Sequence, residues 1–79
     1  MIERRGDARH RVYKRGTIAF SGAGFGCTVR NLSASGARID LEGPVRLPDH
    51  FVLVIESDKV MHRCRPVWNS AQRVGVAFE

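Results

Sequence analysis

Seventy-nine residues with 13 Lys and Arg against 8 Asp and Glu, a formal net charge of +5, make a single domain near the lower size limit for folding on a hydrophobic core alone. No run approaches the roughly 20 apolar residues that span a bilayer, no N-terminal stretch resembles a signal peptide, and Cys27 and Cys64 lie far apart. These features argue against membrane insertion and a secreted disulfide scaffold, and for a cytoplasmic chain with reduced thiols.

The charge is concentrated at the N-terminus. Residues 1–15 carry Arg4, Arg5, Arg9, Arg11, Lys14 and Arg15 against Glu3 and Asp7, so this stretch holds +4 of the total and the rest of the chain only +1. An anionic partner is therefore expected to meet it. Residues 1–14 offer almost no apolar side chains beyond Ile2 and Val12. They read as a basic arm, mobile until an anion orders it, leading into a folded unit over residues 15–79.

From there the pattern is alternation. "KRGTIAF" opens the strands, and Ser21, Gly22 and Gly24 signal a turn. "FGCTVRN" points Phe25, Cys27 and Val29 inward with Thr28 and Arg30 outward, and "NLSASG" follows as a small, hydroxyl-rich connection. "GARIDLE" then sets Ala37, Ile39 and Leu41 on one face and Arg38, Asp40 and Glu42 on the other. After "EGPVRLPDH", the run "FVLVIE" is apolar on both faces and β-branched, as a central strand requires. "VMHRCRPVWNS" carries Pro66, which lacks an amide donor and predicts a bulge or an edge position. "RVGVAFE" closes the chain with Val74, Val76 and Phe78 inward. Six short strands in so short a chain predict an all-β fold: a small, partly closed (split) antiparallel barrel, which buries one face and limits open edges.

Other constellations fare worse. "GAGFG" leads into a strand and lacks the G-K-[ST] ending of a phosphate loop. His10, His50 and His62 show no metal-ligand spacing with the cysteines, which read as small core hydrophobes. No Ser, His and acid set or carboxylate pair suggests a catalytic site, so no enzyme activity and no cofactor are expected. Arg11, Lys14 and Arg15 read as general electrostatic attraction or barrel surface, and Trp68 as a barrel or rim residue.

Two motifs remain. "RRGDAR" fits R-x-x-x-R through Arg5 and Arg9, with Arg4 as an extra preceding arginine, and "NLSASG" fits [D/N]-x-S-x-x-G through Asn31, Ser33 and Gly36. In that order, one hairpin apart, and with "RVYKRGTIAF", "PVW" and "VGVAFE" as context, they make the chain similar to a PilZ domain, the bacterial receptor module for cyclic di-GMP. The resemblance implies that Arg4, Arg5, Arg9, Asn31, Ser33 and Gly36 bind that nucleotide, that binding orders the arm, and that a downstream protein partner reads the result, the receptor acting as a monomer or homodimer.

The chemistry is consistent. A guanidinium fork matches guanine O6 and N7 in bidentate fashion, stacks on a purine or grips a phosphate, and lysine cannot form that fork. Asn31 offers an amide to the guanine Watson–Crick edge, Ser33 a hydroxyl, and Gly36 either close approach or a positive φ. Many family members carry Asp where this chain has Asn31, and the single amide oxygen predicts weaker binding.

Two further readings stay open. One is a PilZ-fold protein-interaction module that does not bind the nucleotide. The other is a small basic barrel for RNA or single-stranded DNA, against which stand the few aromatics, Tyr13, Phe20, Phe25, Phe51, Trp68 and Phe78, most at inward positions.

Overall fold

The computed structural model describes residues 10–79, so Arg4, Arg5 and Arg9 lie outside the described residues. The strands are β1 (His10–Phe20), β2 (Ala23–Leu32), β3 (Gly36–Leu41), β4 (Phe51–Ile55), β5 (Val60–Ser70) and β6 (Arg73–Phe78), with one 3₁₀ turn at Glu56–Asp58. All pairings are antiparallel and run in the ring β1-β2-β3-β6-β5-β4, which β4 closes onto β1 through Gly16 opposite Ile55 and Ala19 opposite Val52.

The six-stranded all-β antiparallel barrel is as the alternation predicts. Its ring is closed because β1 is long enough to pair with β2 on one side and β4 on the other, leaving no open edge along the shared stretch. Strand β1 starts at His10, ahead of residue 15. His10 opposes Leu32 and Arg11 opposes Asn31, so residues 10–14 belong to β1. A register shift between Arg11 and Lys14 accommodates this charged stretch, and Val12 packs against the core.

The interior is filled by Ile18, Cys27, Val29, Ile39, Leu41, Phe51, Leu53, Ile55, Cys64, Val74 and Val76, so each strand contributes its inward set. In β4 the both-face apolar run splits: Phe51, Leu53 and Ile55 are buried, while Val52 and Val54 are half-buried on the outer wall. Val45 and Leu47, from the segment joining β3 to β4, pack onto the same core. Ser21 and Gly22, both at positive φ, make the two-residue β1–β2 connection, the geometry that suits the right-handed twist of a hairpin. Most aromatics lie at inward positions, as expected: Phe51 is buried, Phe20, Phe25 and Phe78 are partly buried, with Phe20 and Phe25 stacked on each other at 5.2 Å, while Tyr13 and Trp68 are exposed.

Both cysteines are free and buried, as small core hydrophobes should be. Burial pushes each thiol from 9.0 up to about 11, with the Glu42 carboxylate adding to the effect at Cys27 and Glu79 at Cys64, against a backbone hydrogen bond from Leu53 that lowers it. Below pH 9 both folded and unfolded chains hold these protons. Between 9 and 11 the unfolded chain releases them and the folded one does not, so stability falls as pH rises through that window. Urea titrations at stepped pH should show the midpoint dropping there, and the double variant Cys27→Ala, Cys64→Ala, less stable throughout, should lose that part of the slope. An unchanged slope in the double variant would assign the loss to other groups.

Candidate functional site

A six-stranded closed barrel packed with side chains has no lumen for a ligand, so a binding site must lie on the outer wall or at its loops. One open groove does, with a volume of about 740 Å³, within the range of roughly 300–1,000 Å³ usual for small-molecule sites. It runs from the β2–β3 connection across β3 and β6 to β5.

Strand register builds its floor. Arg38 opposes Asn31 on β2 and Gly75 on β6, and Gly75 opposes Trp68 on β5. Because directly opposed residues share a face of the sheet, Asn31, Arg38, Gly75 and Trp68 form one outward row across four neighbouring strands. Arg11 extends it onto β1.

Two irregularities make that row possible. In β2 the register shifts between Val29 and Asn31. In β5 it shifts between Pro66 and Trp68, where the proline predicted a bulge. Regular alternation from the buried Cys64 would turn Trp68 inward. The extra residue, Val67, reverses the phase and leaves Trp68 half exposed in the groove. Its indole lies directly over Gly75, where an added Cβ would collide with Nε1 and Cε2.

The connection after Asn31 is held by its own hydroxyl. Ser33 Oγ accepts hydrogen bonds from the amides of Ser35 at 3.3 Å and Gly36 at 3.2 Å and donates to the Gly36 carbonyl at 3.3 Å, which also accepts from the Ser33 amide at 2.9 Å. Ser33 therefore acts first as the organiser of this turn. Gly36 is a glycine because of close approach: the positive φ considered from sequence is absent, and a Cβ would overlap the carbonyl oxygen of Val76 on β6. The neighbour that demands it is the barrel's own backbone. The Asn31 carboxamide makes no hydrogen bond to the described residues and lines the groove.

The groove is positively biased. Arg38 and Arg73 line it, and among the described residues no carboxylate does. The nearby Asp40 is turned to Arg30 at 3.0 Å. Lys14 and Arg15, read from sequence as surface, pair elsewhere, with Asp58 at 2.8 Å and Glu42 at 3.6 Å.

The structure thus brings Asn31, Ser33 and Gly36 together at one end of the groove, while Arg4, Arg5 and Arg9 fall outside the described residues. Sequence reasoning passed over Arg38 and Arg73 as site residues. The signal for Arg38 was its outward place two residues after Gly36, which alternation shows without showing that the face there is concave.

No helix among the described residues is long and apolar enough to cross a membrane. Comparison with curated proteins gave no match. The family model of the PilZ domain matches residues 3–79, a span that takes in both motifs and every strand of the barrel. With essentially the whole chain matched, the protein belongs to the PilZ domain family, receptor and adaptor modules associated with cyclic di-GMP binding.

Proposed function

We infer that this domain is a cyclic di-GMP receptor whose ligand lies in the outer-wall groove, against Asn31 and the Ser33–Gly36 turn. Arg4, Arg5 and Arg9 close on the ligand from the segment before His10, and a partner protein reads the surface so formed. The carrying observation is register: His10, the residue after Arg9, opposes Leu32 in the second motif, so the chain enters the barrel at the groove's own edge. The residue that follows the first motif thus lies opposite a residue of the second.

The chemistry of the lining supports the same reading. Among the described residues, two guanidinium groups and no carboxylate line the groove, which suits a bis-phosphodiester, and the half-exposed indole of Trp68 offers a flat apolar face to a purine. Only one indole is present, and the aromatics are not spread along a track, which favours a compact dinucleotide over a single strand of RNA or DNA.

Isothermal titration of the full chain with cyclic di-GMP tests this, with the fluorescence of Trp68, the single tryptophan, as a groove reporter. Saturable heat at micromolar ligand with a parallel change in emission is the expected result. Absence of both at about 50 μM ligand, equivalent to a free energy weaker than about 6 kcal/mol, rejects the reading in favour of a PilZ fold working through protein contacts alone.

A further inference from the structure

Among the described residues, Arg38 is the one basic side chain with a buried nitrogen, its Nε, that lacks a hydrogen-bond partner, and no carboxylate among them pairs with its guanidinium. Lys14, Arg15, Arg30 and Arg63 each have such a partner. An unpaired buried donor on a cation is costly to keep, and such a group calls for a reason, a partner from outside the fold among them.

The position says which partner. Arg38 sits in the middle of the groove floor, between Asn31 on one neighbouring strand and Gly75 on the other, with Trp68 one strand further. Gly75 carries no side chain, so space beside the guanidinium is bounded by the indole that lies over that glycine. Adjacent strands lie about 4.8 Å apart, which puts the amide, the guanidinium and the indole at spacings comparable to the parts of a nucleotide.

We propose that Arg38 is a ligand-contacting residue of the groove, forking onto a phosphate or the O6/N7 edge of a guanine in the same nucleotide that Asn31 meets. This rests on the cyclic di-GMP reading and extends it to a strand residue outside both sequence motifs. The competing role is internal: Asp40, two residues on along the same face, has Oδ1 buried and unpartnered while Oδ2 takes Arg30, and the Arg38 guanidinium is the cation that would serve that oxygen.

Titration of cyclic di-GMP into wild type, Arg38→Met and Arg38→Lys, with thermal unfolding of each unliganded protein, separates the two. A ligand contact predicts an affinity loss of about tenfold or more in Arg38→Met, a similar loss in Arg38→Lys because a point charge cannot make the fork, and unliganded melting temperatures close to wild type. Variants that bind within twofold of wild type overturn the inference and leave the receptor reading standing, and a lowered melting temperature in them would assign Arg38 to Asp40. Should Arg38→Met fail to fold, Arg38→Lys decides by the same criterion. A wild-type protein that takes up no cyclic di-GMP overturns the receptor reading and this inference together.

Discussion

Gly36→Ala should destabilise the domain by about 3 kcal/mol or more, lowering its melting temperature by about 12 to 24 °C for a protein of this size. The added Cβ has nowhere to go: it meets the Val76 carbonyl oxygen well inside van der Waals contact, and Ala77 Cα lies 3.5 Å away. Both are backbone atoms of β6, which pairs with β3 at this point through Gly36 opposite Ala77. No rotamer change relieves the overlap, so the β3–β6 ladder must open at the end where the groove begins. Gly43→Ala is the control, since nothing lies within 4 Å of a Cβ there and its φ is ordinary. It should leave the melting temperature nearly unchanged. Thermal denaturation followed by far-ultraviolet circular dichroism measures both, and a Gly36→Ala shift below about 4 °C would show that β6 yields easily. A practical consequence follows for this family motif in this chain. Ligand binding lost on changing Gly36 reports a damaged barrel before it reports a lost contact.

The strands were legible because a barrel this small has one inside and one outside, and period-two alternation writes that distinction directly into "GARIDLE" and "RVGVAFE". What escaped the sequence was set by pairing between distant segments. Nothing in "HRVY" marks it as strand, since its neighbours are charged and its alternation is broken. It is held by Leu32 and Asn31, some twenty residues away. Closure likewise depends on β1 meeting β4, a choice that neither strand's composition dictates.

The same limit governs the site. Pro66 announced an irregularity, but which way Trp68 would face afterwards depended on where the extra residue fell in the register with β6. The motif residues Asn31, Ser33 and Gly36 were identifiable as a group, whereas their division of labour was not. Ser33 and Gly36 turn out to have strong internal reasons for being what they are. Asn31 has none, and Arg38 is left with an unanswered donor. The residues that the fold itself does not explain are the ones a ligand best explains.

That division sets the second large expectation, a ranking of variants by cyclic di-GMP affinity. Arg5→Ala and Arg9→Ala should each weaken binding by about 10- to 100-fold, the worth of a charge-assisted hydrogen bond of about 1.5–3 kcal/mol to an ionised or strongly polar group, with unliganded stability unaltered. Arg15→Ala should cost about threefold or less. Its guanidinium is exposed and already faces Glu42 at 3.6 Å, so its loss removes long-range attraction and no direct contact. Asn31→Asp should move the other way, tightening binding by about tenfold. A carboxylate accepts from both N1–H and N2–H of a guanine where the amide has one oxygen to offer, and the arginines lining the groove, with no acidic neighbour there among the described residues, favour a new negative charge at that position. The ranking distinguishes mechanisms as well as magnitudes. If Arg5, Arg9 and Arg15 cost the same and Asn31→Asp weakens binding, the groove attracts anions through diffuse positive potential, and a shaped contact with the purine has no part in it.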